Sequence, residues 1–200
     1  MNLRSGTIAA GVLALLASGF GPAAAGSLVS IGLAGGVSVP VNDVASAFDD
    51  GVAGQGFVKF NIPFIITPRL DFVFQDMDIK DASIVSPDFG PGDFTGGSQQ
   101  IMSGLAHAQF NILTAGPITP YLIVGVGMSN LETTLDEEGG GTTTRSSTQV
   151  TVDGGAGVLV KVGPIKAFLE GRIANVVNDG EVIDFESVQT VPVTLGIVVF

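Results

Sequence analysis

Beyond residue 25 the chain alternates, residue by residue, between an aliphatic face and a small or polar one, and it does so in run after run. Successive side chains of a β-strand point to opposite sides, so a period of two assigns each set to one face of a sheet. The last run shows the pattern: Val191, Val193, Leu195, Ile197 and Val199 alternate with Pro192, Thr194, Gly196, Val198 and Phe200. Behind an exportable N-terminus, such repetition predicts a small membrane-spanning β-barrel rather than a soluble enzyme.

Seven earlier segments follow the same rule. Val29, Ile31, Leu33, Val37 and Val39 oppose Ser30, Gly32, Ala34, Gly36 and Ser38, and Val58, Phe60, Ile62 and Phe64 oppose Phe57, Lys59, Asn61 and Pro63. Leu70, Phe72 and Phe74 oppose Asp71 and Gln75. In Ile101–Ile112, Met102, Gly104, Ala106, Ala108, Phe110 and Ile112 oppose Ser103, Leu105, His107, Gln109 and Asn111. Tyr121–Leu131 offers Leu122, Val124, Val126 and Met128 outward. Val150, Val152, Ala156, Val158, Val160 and Val162 oppose Thr151, Asp153, Gly155, Gly157 and Lys161, while Ile165, Ala167, Leu169, Gly171 and Ile173 oppose Lys166, Phe168, Glu170 and Arg172.

The first 25 residues form a separate unit. Arg4 precedes an apolar stretch through Ile8–Ala17, and Ala23-Ala24-Ala25 follows, which is the pattern of a secretory signal peptide cleaved after Ala25. The apolar core is short for a retained membrane helix, and Gly19, Gly21 and Pro22 interrupt its flank. Cleavage leaves one domain, residues 26–200, and shifts the formal charge from −11 to −12 by removing Arg4. That acidity disfavours a nucleic-acid partner. There is no cysteine, so stability must come from packing and a closed hydrogen-bonded architecture.

The connections predict the topology. Ile66-Thr67-Pro68-Arg69, Leu113–Pro120 and Gly163-Pro164 read as short turns. Asn42–Gln55, Asp76–Gln100, Glu132–Gln149 and Asn175–Gln189 read as long polar loops at the other end. Those loops hold sixteen acidic residues against Lys80 and Arg145, a formal −14, which solvent tolerates and a compact apolar face would not. Asp76-Met77-Asp78-Ile79-Lys80-Asp81 lacks the glycine and terminal carboxylate of a full EF-hand loop, so no metal is assigned.

The expected fold is therefore all-β: one closed, antiparallel, eight-stranded transmembrane β-barrel. Closure pairs the first strand with the eighth and leaves no backbone group unsatisfied in hydrocarbon. Eight strands enclose a space that side chains fill. Lys59, Asp71, Gln75, His107, Gln109, Asp153, Lys161, Lys166, Glu170 and Arg172 are expected to form the polar network of that interior. Phe57, Phe64, Phe72, Tyr121 and Phe168 suit either membrane-interface girdles or barrel filling.

Taken whole, the alternating strands, short turns, four long loops and terminal Phe200 resemble the small eight-stranded outer-membrane barrels, especially OmpA- and OmpX-like proteins. The resemblance covers nearly all of residues 26–200. It implies a multi-pass protein of the bacterial outer membrane, with outer-membrane lipids around it, long loops external and short turns periplasmic. It also implies recognition of Phe200 by the barrel-assembly machinery.

Three function classes compete. A non-enzymatic structural or surface-interaction barrel, monomeric and without cofactor, accounts for the whole pattern and leaves an external protein or small ligand as partner. A narrow, porin-like conduit or small-ligand-binding barrel is the second. A membrane lipid-modifying enzyme is the third, resting on Ser103 and His107. Four residues along a strand set that pair about 13 Å apart, beyond direct proton transfer, so no catalytic residue is assigned.

Overall fold

The computed structural model describes residues 28–42, 44–62, 65–79, 94–112, 116–137, 141–177 and 187–199. The expected signal peptide, Phe64 and the assembly signal Phe200 lie outside them. Eight strands follow in chain order: β1 (Val29–Pro40), β2 (Gly51–Phe60), β3 (Ile66–Asp78), β4 (Phe94–Asn111), β5 (Ile118–Glu137), β6 (Thr142–Val162), β7 (Ile165–Val177) and β8 (Ser187–Val199). Each pairs antiparallel with the next, and β8 returns to β1 from Ile31↔Val199 to Pro40↔Thr190, closing the barrel. A short helix, α1 (Val44–Ala47), lies between β1 and β2.

Alternation decides which face each residue takes. Leu122, Val124, Val126 and Met128 are exposed on β5, as are Val150 and Val152 on β6, while Tyr121, Ile123, Thr151 and Asp153 between them are buried. The outer surface is thus a continuous aliphatic band, which water would penalise and lipid would not.

Several boundaries differ from those expected. Ile66–Arg69 is not a turn but the start of β3, and Pro120 lies inside β5, so the corresponding connections shift to 61–65 and 112–117. Proline is tolerated at both places because the adjoining ladder has just ended there. The β2–β3 pairing stops at Lys59↔Arg69, one residue before Pro68, and the β4–β5 pairing stops at Asn111↔Tyr121, one before Pro120. Pro192 acts in mid-strand: the β7–β8 pairing is interrupted between Gly171↔Val193 and Ala174↔Thr190 and resumes in the same register, as expected where a ladder donor is missing.

The long loops also contract. Glu132–Gln149 is not a loop, since β5 runs to Glu137 and β6 begins at Thr142. Threonine is a strong strand former, and cross-strand pairs such as Thr134–Thr144 (3.3 Å) and Asn130–Thr148 (3.3 Å) stitch this extension together. Likewise β2 begins at Gly51, β3 runs to Asp78, β4 begins at Phe94, β7 runs to Val177 and β8 begins at Ser187.

On β5 the lipid-type outward residues end at Met128, and Asn130, Glu132, Thr134 and Asp136 follow. Ile118 to Met128 has the length of a tilted membrane-crossing strand, about 9–11 residues. The rest of this 20-residue strand rises about 30 Å further along its axis at the usual rise per residue. β4, β5 and β6 therefore stand out beyond the apolar band at the long-loop end.

Candidate functional site

The lumen is filled in tiers. Near the short turns, Phe57, Tyr121, Ile123, Leu159, Phe168 and Val198 form an apolar cluster. Near the long loops, Ala47 at the end of α1 and Phe48 just after it pack with Met77, Ile101, Leu131, Val176 and Val188. The backbone holds this cap in place, because Asp49 N donates to Asp78 O at 2.9 Å and Phe48 bridges Ile79. Phe57, Tyr121 and Phe168 are thus lumen fillers rather than girdle residues, whereas Phe72 is 58% exposed on the outer band.

Between the two clusters lies a charged network built from strands on every side. Arg69 of β3 donates Nε and Nη2 to Asp71 Oδ1 and Oδ2 at 2.8 and 2.7 Å. Its other edge donates Nη1 and Nη2 to Glu170 Oε2 and Oε1 at 2.8 and 2.9 Å. A planar guanidinium can present two such forks, which an ammonium cannot. Arg69 also stacks 3.9 Å from the Phe57 ring centroid, and Phe57 meets Phe168 edge-on at 5.4 Å. Tyr121 donates its hydroxyl to Glu170 Oε2 at 2.7 Å.

Arg172 closes the other side. Its Nη1 donates to Asp153 Oδ2 at 3.1 Å and its Nη2 to Gln55 Oε1 at 3.2 Å. Gln55 passes the connection on, donating to Asp71 and Glu170 at 3.1 Å each, and Thr194 donates to its carbonyl. His107 sits between two carboxylates, with Nε2 2.8 Å from Asp153 Oδ1 and Nδ1 3.2 Å from Asp71 Oδ1. Only the first has hydrogen-bond alignment. Room for this packing comes from Gly125, which faces His107 on one side and Asp153 on the other in the register. A Cβ there would lie 2.2 Å from the imidazole and 2.6 Å from Asp153 Oδ1.

Of the residues expected inside, Asp71, His107, Asp153, Glu170 and Arg172 meet in this one network. Gln75 is buried but belongs to a separate polar tier, where Ser38 donates to it. Gln109 bonds Asn111 at 2.7 Å, and Asn111 bonds Thr67 at 3.1 Å, toward the short turns. Lys59 is buried and Lys166 half-buried at the same end. Lys161 departs from expectation: it has inward parity but is exposed, because only one residue separates it from the end of β6 and its stem reaches solvent at the rim.

Four network members, Gln55, Arg69, Tyr121 and Thr194, are absent from the expected set. Gln55 shares parity with Phe57 and Lys59, and Arg69 with Asp71, so period two carries the signal. Gln55 falls in an expected loop, and Arg69 falls both in an expected turn and at the head of the expected strand Arg69–Gln75, which masks it. Ser103 does not engage His107: the Ser103 and Ser129 hydroxyls pair at 2.6 Å, and His107 engages Asp153. Among the described residues no group of three or more His, Cys, Asp or Glu is arranged to hold a metal ion.

Several solved structures share this architecture. Neisserial surface protein A superposes with a TM-score of 0.59 at 18% identity, covering 86% of this chain and 97% of that one. Ail, the attachment invasion locus protein of Yersinia pestis, solved with the heparin analogue sucrose octasulfate, gives 0.57 at 13% identity over 85% and 97%. A major outer membrane protein from Thermus thermophilus gives 0.56 at 12% identity over 86% and 99%. No protein-family model and no curated protein sequence matches the chain. The chain has the fold of the small eight-stranded outer-membrane barrels.

Proposed function

We propose that this protein is a non-enzymatic barrel of the bacterial outer membrane that displays an acidic, hydroxyl-rich surface to external partners. The observation that carries the reading is the contrast between its two halves. The barrel interior is occupied by side chains bound to one another, while β4, β5 and β6 extend past the aliphatic band with Glu132, Thr134, Asp136, Thr144 and Ser146 directed outward. A filled lumen supports display over passage of solutes. The separation of Ser103 from His107 supports structural roles for both.

Charge narrows the partner. Ail was crystallised with a sulfated sugar, but the expected external segments of this chain carry sixteen acids against two bases, which favours a basic partner surface over a polyanion. In this orientation the short turns are periplasmic and the extension is outside.

The reading is tested by shortening the extension. Thr134 and Thr144 face each other in register, so an Asn-Gly turn can join them directly. The shortened protein is expected to fold in lipid with an unchanged urea midpoint and to remain in the outer membrane. Loss of folding would make the extension part of the barrel's stability and remove the argument for display.

A further inference from the structure

At two of the short connections the apolar outer band runs on past the ends of the strands. Ile65 at the β2–β3 turn is 76% exposed and Ile112 at the β4–β5 turn 60%, with Ile62, Ile66 and Ile118 exposed beside them. The two turns adjoin through the ladder: Ile66 pairs with Phe110, and Asn111 N donates to Ile65 O at 3.4 Å. No charged residue occurs from Phe60 through Pro68 or from Ala108 through Leu131. The β6–β7 turn is of another kind, because Lys161 and Lys166 flank Gly163-Pro164. Single exposed isoleucines are ordinary on a surface in water, whereas a contiguous patch of them at the tips of turns is not.

Strand length accounts for the patch. On β3 the outward face becomes acidic at Asp76 and on β4 polar at Gln100, which fixes the long-loop edge of the apolar run. From Phe74 to Ile66 and from Met102 to Phe110 each strand covers about 27 Å, or about 20 Å along the barrel axis at the usual tilt. The lipid-facing band of an outer-membrane barrel is about 25 Å tall, so both apolar runs stop about 5 Å short of its other edge. The turn residues occupy that remaining depth.

The backbone tolerates this placement. An unmet amide is costly near hydrocarbon, but Asn61 N donates to Leu28 O at 2.8 Å, Ile62 N to Phe60 O at 2.9 Å and Ile112 N to Pro120 O at 2.9 Å. Pro63 and Pro117 carry no N–H at all. The chain can therefore sit at the headgroup boundary while the isoleucine side chains reach into the acyl region.

We propose that the β2–β3 and β4–β5 turns anchor the barrel in the leaflet at its short-turn end, with Ile62, Ile65 and Ile112 inserted among the acyl chains and the β6–β7 turn left in water. The partner is membrane lipid, because the patch is continuous with the aliphatic band that meets it. The assignment holds whichever side of the membrane the long loops face, so it stands or falls apart from the display proposed above.

The test folds the protein into vesicles of palmitoyl-oleoyl-phosphatidylcholine and places one nitroxide spin label at a time, on Ile65→Cys, Ile112→Cys or Pro164→Cys. All three positions are exposed, so the barrel is expected to persist. Power saturation compares collisions with molecular oxygen, which concentrates in hydrocarbon, and with a neutral nickel chelate, which stays in water. The logarithm of the oxygen-to-nickel ratio is expected to be positive at Ile65 and Ile112 and negative at Pro164.

A negative value at Ile65 or Ile112, or a positive one at Pro164, overturns the proposal. Low access to both probes, with spectral broadening that disappears on dilution with unlabelled protein, assigns the patch to a second copy of the chain and overturns it equally. Should Ile65→Cys not fold, Ile62→Cys reads the same turn and must give the positive value.

Discussion

Arg69 and Glu170, 101 residues apart in sequence, face each other through two parallel hydrogen bonds of 2.8 and 2.9 Å inside the barrel. β3 and β7 are not neighbours in the sheet, so this pair ties opposite parts of the wall together in addition to the ladder bonds. Both side chains are excluded from water, which makes the contact depend on geometry rather than on bulk charge.

Removing one partner should be far worse than removing all. Arg69→Met leaves Asp71 and Glu170 buried with Arg172, 3.4 Å from each, as the cation they share, and is expected to lower the unfolding free energy by about 3–5 kcal/mol. The combination Arg69→Met, Asp71→Leu, Glu170→Leu and Arg172→Met, which leaves Asp153 to His107, should recover much of that loss. Urea unfolding in lipid vesicles measures both, and a single variant as stable as wild type would show the network to be dispensable.

Glycine position gives a second contrast. Gly125→Ala puts a Cβ against His107 and Asp153 and is expected to cost about 1–3 kcal/mol. Gly104→Ala, outward-facing with nothing within 4 Å of its Cβ, should be near neutral. Equal effects in the same unfolding assay would contradict the assigned faces.

The period-two pattern made the strand count, the closure and the faces of many inward residues legible, because parity needs no knowledge of partners, but it failed at the strand end, where Lys161 is exposed. Which inward groups meet was not legible. His107 finds Asp153 only through the register that puts both beside Gly125, and Arg69 finds Glu170 only through the three-dimensional closure. Aromatic residues were ambiguous for a physical reason: a ring satisfies a lipid interface and a lumen alike, and Phe57 went inside while Phe72 went outside. Boundaries failed where proline and glycine were read as breakers, although Pro68 and Pro120 sit where a ladder has already ended.

A filled interior should not conduct. Reconstituted in planar bilayers, the wild type is expected to show no stepwise current, and vesicles containing it should retain trapped sugar as long as empty ones do. Steady conductance would favour the conduit reading and require the two apolar clusters to open.

The aliphatic band can be probed directly. Val124 faces outward within the band, and Val124→Arg should cost about 2–4 kcal/mol if that face meets lipid near the bilayer midplane. Thr144→Arg, on the projecting part of β6, should change stability by no more than about 0.5 kcal/mol. Similar costs at both positions would mean the band is not bounded where β5 turns polar.

The absence of native cysteine makes one measurement decisive for the surface-display account. Thr144→Cys and Gly163→Cys each introduce a single thiol, one on the projecting extension and one in the β6–β7 turn. On intact cells a membrane-impermeant maleimide is predicted to label Thr144→Cys and to spare Gly163→Cys until the outer membrane is permeabilised. Labelling of Gly163→Cys alone on intact cells, or of neither variant before permeabilisation, would contradict external display of the extension.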